Sequence, residues 1–429
     1  MILVQFLVVL LFLYIGMRVG GIGVGFAGGA GVIVLSALGA TPGDMPMLVI
    51  VFIMVVIVAI AAMQEAGGIE YLVDLTERLL RRYPRLLVIT APLSTWLLTM
   101  MASTGQVSFA CMPVIVGVAK ENNIKPTRAL ALSVSASLLG IVASPISAAV
   151  IFFSGILEKG HDGWGYIELI AVSIPSTFLA LLVTSVFYLF WDRIRQQDRL
   201  YDNPVQVKAR TERAIPPYAG RSVLIFIVGL VAVLAYAIVT SPKLGLIAHP
   251  VMSSGQARVG VMMGVALLIV VCCRVNVHKV PSGSVFKTGM TSCICILGVA
   301  WLGSTFMDSN QQWLQSAVSS HLLDSPIMLA LIIMAASCFL YSQAASTKIL
   351  FPAALSMGVA PGILVACFPA TASLFILPNY PTLLAAVELD DTGSTKLGRH
   401  IIDHPFLLPG LASVLLSILF AAGLAFLIR

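Results

Sequence analysis

Residues 326–381 read PIMLALIIMAASCFLYSQAASTKILFPAALSMGVAPGILVACFPATASLFILPNYP. This stretch is apolar enough to lie in a membrane, but small polar residues and prolines interrupt it. The first run, 326–341, measures about 24 Å as an α-helix, which is short of the roughly 30 Å hydrocarbon core. The polar residues 342–347 follow, and a second short apolar run ends near Gly358. We therefore predict a re-entrant helical hairpin over residues 326–357.

The end of the same stretch predicts a broken membrane helix. Pro378 and Pro381 lie inside the apolar segment 362–388, and proline removes a backbone hydrogen bond and cannot continue a helix. Such a break is tolerated at membrane depth only where it is buried in protein or lines a wet cavity.

The first half of the chain shows the same two interruptions. Residues 86–119 form a second candidate hairpin with the tip STGQ at 103–106, and ASPIS at 143–147 breaks the apolar run 129–158. Broken helices at corresponding positions of two halves are a sequence marker of a transporter substrate site. The alternative is that two helix pairs merely contain kinks.

The composition indicates a polytopic, all-α membrane protein. The 429 residues are 59% hydrophobic and 10% charged, whereas soluble domains carry about 25% charged residues. No cleavable leader is expected, because the N-terminus enters an apolar span directly. The seven cysteines lie in or beside apolar segments and are expected to be free, and Cys293-Ile294-Cys295 does not have the spacing of a metal site. We predict no cofactor and no metal.

The apolar runs predict eight continuous and two broken spans. They lie at 2–17, 19–38, 46–65, 129–158 (broken), 167–192, 221–240, 257–273, 285–307, 362–388 (broken) and 404–427. Two amphipathic stretches, 69–85 and 308–324, are better placed on the membrane surface. The apolar face of the first is predicted to consist of Ile69, Leu72, Leu75, Leu79 and Leu80.

The distribution of basic residues orients these spans. With the N-terminus outside, most of the 25 lysines and arginines face the cytoplasm, as the positive-inside rule requires. Topology thus explains the net charge of +6 better than nucleic-acid binding does. Both termini are then periplasmic, and residues 1–192 and 221–429 are inverted repeats. The basic linker 193–220 lies in the cytoplasm, where its charges fix the topology rather than bind a partner.

The two tips and two breaks predict one polar site near the membrane midplane. Helix N-termini carry partial positive charge and suit carboxylates, whereas helix C-termini and unwound carbonyls suit cations. The alternative is that these small residues only allow close helix packing. The predicted substrate-binding residues of the first half are Ser103, Thr104, Gly105, Gln106, Ser144, Pro145 and Ser147. Those of the second half are Ser342, Gln343, Ala344, Ala345, Ser346, Thr347, Lys348, Pro378, Asn379, Tyr380, Pro381 and Thr382.

Lys348 is the one basic residue that this topology places inside the membrane. An ionisable residue at that depth is a functional hypothesis by default. It could attract a carboxylate or replace a cation in the site. The alternative is that its long side chain extends to the outer interface.

Three other motifs are weaker signals. The GxGxxG match at 23–28 follows no strand and lies inside a span, so helix packing explains it better than dinucleotide binding. The six histidines lie in loops or at span ends without a metal-binding spacing, so a metallohydrolase is not expected. The sequence DDTG at 390–393 is interpreted as a solvated loop or a gate contact.

Several long motifs carry a resemblance to a known family. They are GGIGVGFAGG at 20–29, AMQEAGGIEYLV at 62–73, ASPISAAV at 143–150, LYSQAA at 340–345, LFILPNYPTLLAAV at 374–387 and DDTGSTKLGRHIIDHPF at 390–406. The chain resembles, from end to end, the anaerobic C4-dicarboxylate transporter (Dcu) family of bacteria, closest to its A branch. It departs from the family pattern at the first tip, 103–106, and at Asn379. Both departures affect the expected substrate preference.

The resemblance implies an inner-membrane carrier of fumarate, succinate, malate and aspartate, most often an antiporter. It also implies kinship with the ion-transporter superfamily, whose members are commonly homodimers that work by an elevator mechanism. A sodium- or proton-coupled importer is the alternative in the same class. A membrane enzyme is not expected, because the sequence offers no nucleophile–base pair at membrane depth. A scaffold role, in which residues 388–399 contact a membrane sensor kinase, need not exclude transport.

Overall fold

The computed structural model describes residues 2–19, 22–45, 47–105, 107–160, 163–195, 215–240, 247, 251–252, 254–310, 326–340, 342–377, 380–397 and 403–428. Within these ranges the chain is helical, with turns and short loops between the helices. The helices of the first half are α1 (Ile2–Val19), α2 (Gly23–Ala37), α3 (Met47–Glu65), α4 (Gly68–Arg82), α5 (Leu87–Ala102), α6 (Val107–Glu121), α7 (Thr127–Ala143), α8 (Ala148–Lys159) and α9 (Tyr166–Arg195). Those of the second half are α10 (Ala219–Val239), α11 (Ser254–Cys272), α12 (Ser284–Ser309), α13 (Pro326–Leu340), α14 (Gln343–Ser356), α15 (Pro361–Cys367), α16 (Pro381–Leu389) and α17 (Leu407–Ile428).

The apolar helices confirm a polytopic membrane protein. Within the described ranges, 7 helices are long and apolar enough to cross a membrane, or 8 if the bent pair α3–α4 is one span. Four further apolar helices are shorter. Nearly all of the predicted amphipathic stretch 308–324 and most of the linker 193–220 lie outside the described residues.

Helix α4 turns away from the span that precedes it. The two axes differ by 67°, and Gly67 between them has a left-handed φ of 82°, which glycine adopts without a steric penalty. Of the predicted apolar face of α4, Leu75 is 53% exposed and Leu79 is 42% exposed, whereas Ile69, Leu72 and Leu80 are buried.

The side of α4 that is buried in the protein also includes charged residues. It packs against α6 and α10 and contains Asp74 and Glu77. Arg78 lies 2.7 Å from Asp74, and Arg81 lies 2.9 Å from Glu77 and also pairs with Glu121 at the end of α6. These pairs compensate the buried carboxylates, which the apolar periodicity of the segment does not reveal.

The two predicted hairpin segments contain the helix pairs α5–α6 and α13–α14, and each pair is interrupted at the predicted tip. Ser103 ends α5 with a left-handed φ of 54°. With the preceding 3-10 turn (Pro84–Leu86), α5 is long enough by composition and length to be a span. Length alone therefore does not identify the first hairpin as re-entrant.

Both predicted broken segments contain an interruption of α-helix, and the second interruption begins earlier than expected. The first separates α7 from α8 at residues 144–147. In the second, α15 changes to a 3-10 helix at Phe368–Phe375, well before Pro378. Pro369 accounts for the change, because it has no N–H to donate to the α-helical hydrogen-bond ladder.

The helices pack in two groups. In the first group, α2 contacts α12, α3 contacts α11 and α12, α1 contacts α2, and α10 contacts α11. In the second group, α5 packs on α7, α9 on α17, α7 on α9, and α13 on the 3-10 segment. Across the halves, α6 contacts α16 and α14 contacts α8.

The glycine-rich motif at 20–29 serves helix packing, as predicted. A Cβ on Gly28 would lie 2.4 Å from the carbonyl carbon of Gly298, and one on Gly298 would lie 1.9 Å from the Gly25 oxygen. Helices α2 and α12 therefore cross in backbone contact, which only residues without a side chain permit.

Candidate functional site

Both hairpin tips meet the C-terminal part of α7. At the first tip, a Cβ on Gly105 would lie 3.8 Å from Ile141 and 4.0 Å from the hydroxyl of Ser137. At the second tip, Gln343 Nε2 donates a 2.8 Å hydrogen bond to the Leu138 backbone oxygen. Residues from the two halves of the chain are thus brought to one end of one helix.

The first tip also lies beside the second break. A Cβ on Gly105 would be 3.7 Å from Thr382, in the first turn of α16. Tyr380 caps that helix with extended backbone, and Pro381 occupies its first turn. Both tips and both breaks therefore belong to one region. Three predicted site residues, Gln106, Pro378 and Asn379, lie outside the described residues.

Four helices begin at this region. They are α6 after the first tip, α8 after the first break, α14 after the second tip and α16 after the second break. Helix N-termini present unpaired N–H groups and partial positive charge. Helices α5, α7 and α13 and the 3-10 segment end in the same region, so it offers N–H groups to an anion and carbonyl oxygens to a cation.

The first break supplies a buried hydroxyl. Ser144 ends α7 with an extended ψ of 120°, and its Oγ has no hydrogen-bond partner among the described residues. Pro145 follows it, and Ser147 caps α8 by accepting a 3.2 Å hydrogen bond from the Val150 N–H. Ser144 and Ser147 therefore both keep an O–H donor available for a ligand, although the Ser147 oxygen already accepts in capping.

The hydroxyls of the second tip are largely engaged within their own helix. Ser342 caps α14 by accepting from the Ala345 N–H at 3.2 Å, and Ala344 lies between these two residues in the same turn. Ser346 donates to the Ser342 oxygen at 2.9 Å, and Thr347 donates to the Gln343 oxygen at 2.7 Å. A hydroxyl that has donated its hydrogen offers only lone pairs. Ser346 and Thr347 therefore cannot donate to an anion in this arrangement.

Other polar atoms of the region are buried without a partner. In the part of the chain that the structure describes, they include Thr382 Oγ1 and Gln343 Oε1. Ser103 and Thr104 are half-buried at the first tip. Buried polar groups normally have partners, and such unpartnered atoms also occur elsewhere in the described residues, for example Ser185 Oγ and Ser417 Oγ.

Lys348 lies inside the protein and does not extend to the outer interface. The residue is 4% exposed, and its Nζ has no hydrogen-bond partner within the described ranges. Its Nζ lies 5.4 Å from the centre of the Phe152 ring on α8. A buried amine with so little compensation is a ready partner for a carboxylate.

The loop after α16 contacts the first hairpin. Lys120 Nζ at the end of α6 lies 2.7 Å from Asp391, and Thr127 at the start of α7 donates to Ser394 at 2.9 Å. The loop is therefore attached to the ends of α6 and α7.

Asp390 organises this loop. Its carboxylate accepts hydrogen bonds from Thr392, Ser394 and the Thr395 N–H. Burial acts to raise the pKa of Asp390, but these hydrogen bonds outweigh burial, so the pKa lies below its usual value.

Two side chains at the breaks were not predicted from the sequence. The Tyr166 hydroxyl donates a 2.7 Å hydrogen bond to the Pro145 oxygen, and His404 Nε2 lies 3.2 Å from the Ile376 oxygen. The sequence around Tyr166 and His404 does not predict these contacts, because each partner is more than 20 residues away in the chain.

The comparisons with known proteins agree with this fold. The solved structure of the YdaH transporter of Alcanivorax borkumensis is similar, with a TM-score of 0.60 at 16% identity, and covers 98% of each chain. This likeness places the chain in the class of polytopic helical transporter folds. At that identity it supports the fold alone.

The family follows from sequence. The anaerobic C4-dicarboxylate membrane transporter family matches residues 1–429, and the chain belongs to this family. The C4-dicarboxylate transporter DcuA of Escherichia coli (strain K12) is 46% identical over 426 residues, covering 98% of both chains. DcuA of Wolinella succinogenes is 44% identical over 424 residues, covering 97% of this chain and 98% of that protein. The anaerobic C4-dicarboxylate transporter DcuB of Escherichia coli O6:H1 is 32% identical over 432 residues, covering 97% of both. The family consists of membrane transporters and not of enzymes.

Proposed function

We propose that this chain is a secondary transporter of C4-dicarboxylates such as fumarate, succinate, malate and aspartate in the bacterial inner membrane. The names of its relatives support the substrate class. The observation that carries the proposal is structural: both tips meet α7, and four helices begin where tips and breaks converge. A small dianion is the ligand that such an arrangement complements.

The described residues suggest how the two carboxylates are held. The Ser144 and Thr382 hydroxyls are free to donate, and the Lys348 ammonium lacks a counter-ion among the described residues. We assign one carboxylate to these hydroxyls with the N-termini of α8 and α16. The other carboxylate neutralises Lys348.

Inverted repeats are supported by the contact pattern. If α2 corresponds to α11 and α3 to α12, the contact of α2 with α12 corresponds to that of α11 with α3. In the same way, the contact of α6 with α16 corresponds to that of α14 with α8. The basic residues then place both termini in the periplasm.

The grouping of helices supports an elevator mechanism. Helices α1–α3 and α10–α12 contact one another and would form the static scaffold of a homodimer. The hairpins, broken helices, α9 and α17 would move with the substrate. We favour exchange, because an empty site leaves Lys348 buried and uncompensated, which opposes movement without a substrate. Import coupled to Na⁺ or H⁺ is the alternative.

Ligand-dependent thermal stability of the purified protein in nanodiscs tests the substrate class. Succinate, fumarate and aspartate should each raise Tm in a concentration-dependent manner, since a ligand of the folded state stabilises it by mass action. Butyrate, a four-carbon monocarboxylate, is the matched control and should have little effect. Equal stabilisation by butyrate, or none by any dicarboxylate, contradicts the proposal.

A further inference from the structure

Each helix break has one carbonyl that is held by the side chain of a later segment. At the first break, the Pro145 oxygen accepts from the Tyr166 hydroxyl at 2.7 Å. At the second, the Ile376 oxygen lies 3.2 Å from His404 Nε2. Tyr166 begins α9 and His404 precedes α17, and these two helices pack on each other. The same arrangement, in which a side chain from a later segment contacts a carbonyl oxygen of the break, therefore occurs in both halves.

The direction of the second hydrogen bond follows from its partner. A carbonyl oxygen only accepts, so Nε2 of His404 carries the proton and donates. Nδ1 of the same ring has no partner within the described ranges, which is consistent with this tautomer. Tyr166 and His404 are 3% and 8% exposed, so water cannot readily replace either donor.

Tyr166 is itself held in place. The guanidinium carbon of Arg258, on α11, lies 4.8 Å from the centre of the Tyr166 ring. Arg258 Nη2 also lies 3.5 Å from Glu158 near the end of α8. The hydroxyl that reaches the first break is thus supported from a helix of the other group.

The unpaired carbonyls of a break are a problem for a site that binds an anion. A carbonyl oxygen carries partial negative charge and repels a carboxylate, whereas the N–H groups of the following helix attract it. A donated hydrogen bond neutralises part of the charge on the oxygen and fixes the peptide plane. Without it, an unwound segment can rotate its peptide groups.

We propose that Tyr166 and His404 are positioning residues of the transporter: each neutralises and fixes one carbonyl of a break so that the adjoining helix N-terminus can bind substrate. This inference rests on the proposed function. It predicts that loss of either donor weakens substrate binding more than it slows the movement of the loaded carrier.

The test uses exchange of labelled succinate in proteoliposomes, with KM and the maximal rate measured separately. Tyr166→Phe and His404→Phe remove the donors and keep an aromatic ring. His404→Gln keeps an N–H donor at a similar position. The matched control is Tyr236→Phe, because Tyr236 also donates a 2.7 Å hydrogen bond to a backbone oxygen, that of Met252, in the other helix group.

Tyr166→Phe and His404→Phe should raise KM about five- to tenfold, where tenfold corresponds to about 1.4 kcal/mol, with maximal rates within about twofold of wild type. His404→Gln and Tyr236→Phe should leave KM within about twofold. Unchanged KM in both Phe variants overturns the inference. A fall in maximal rate alone also overturns it, because that indicates a merely structural role.

Folding is controlled by a second measurement. If a Phe variant is recovered in low yield, the rise of Tm with succinate is compared between His404→Phe and His404→Gln in nanodiscs. Equal succinate-induced shifts again overturn the inference. Failure of the wild type to exchange succinate counts against the proposed function instead, so the two failures are distinguishable.

Discussion

Gln343 at the second hairpin tip donates a 2.8 Å hydrogen bond to the backbone oxygen of Leu138 on α7. The two residues are 205 positions apart in the chain, and one belongs to each half. The contact joins the second hairpin to the helix that leads into the first break. Opening of this hairpin would therefore have to break it.

Replacing Gln343 by Met should weaken substrate binding. Met has a similar length but cannot donate, so the tip loses its attachment to α7, and a hydrogen bond of this kind contributes about 1 kcal/mol. We expect KM for succinate to rise about fivefold in the exchange assay. Gln64→Met is the matched control, because Gln64 accepts from the Val285 N–H between α3 and α12, outside the site. An equal rise of KM in both variants would refute the role of the tip.

Replacing Lys348 by Met should stabilise the empty protein and impair transport. A buried amine with no acceptor among the described residues costs free energy, so Tm without substrate should rise. Exchange should fall more than about tenfold, because a lost carboxylate contact of a charged group exceeds about 1.4 kcal/mol. Lys279→Met, at an exposed lysine outside the site, should do neither. Transport at the wild-type rate by Lys348→Met would exclude Lys348 from the site.

The crossing of α2 and α12 should not tolerate a single methyl group. In Gly298→Ala, the new Cβ would lie 1.9 Å from the Gly25 oxygen, so the helices must separate and folded protein should be lost. Gly29→Ala is the control on α2, because nothing lies within 4 Å of its Cβ, and it should be neutral or stabilise by about 1 kcal/mol. The yield of monodisperse protein after purification measures both. Normal yield and Tm in Gly298→Ala would contradict the close crossing.

Removing the charge of Asp390 should destabilise the protein at neutral pH. In Asp390→Asn, an NH₂ group takes the place of one carboxylate oxygen and faces the N–H and O–H donors that this oxygen accepted from. We expect a loss of folding stability of about 1–3 kcal/mol. Because the folded pKa is lowered, the stability from this carboxylate is present above its unfolded pKa of about 3.9 and is lost as pH falls through the folded value. The Tm difference between wild type and Asp390→Asn should thus shrink at pH 3.

Asp391→Asn is the control for this prediction. The Asp391 side chain is 63% exposed and forms an ion pair with Lys120, so its loss should cost under about 1 kcal/mol. A constant Tm difference for Asp390→Asn from pH 7 to pH 3 would rule out the charge as its cause.

The interruptions of helices were predictable, whereas the contacts between them were not. Pro145 and the small polar residues at 342–347 affect the backbone at their own positions. The break and the tip can therefore be predicted from the local sequence. The early change to a 3-10 helix at Phe368 was missed, although Pro369 could have indicated it.

Long-range side-chain contacts left no local pattern. His404 was assigned to a span end, yet its ring lies next to Ile376 at the second break. Leu75 was assigned to the apolar face of an amphipathic stretch, but the side of this helix that is buried in the protein contains the paired Asp74. In each case packing against a distant segment decides which side chain is buried, and periodicity within one helix does not contain that information.

Counterflow in proteoliposomes tests the central claim most directly. Vesicles loaded with unlabelled succinate receive labelled aspartate or fumarate outside, with and without a gradient of Na⁺ or H⁺. If the protein is an exchanger, uptake will require internal dicarboxylate and will not depend on either gradient. Gradient-driven uptake into empty vesicles would instead indicate ion-coupled import. No uptake by folded protein under either condition would contradict dicarboxylate transport itself.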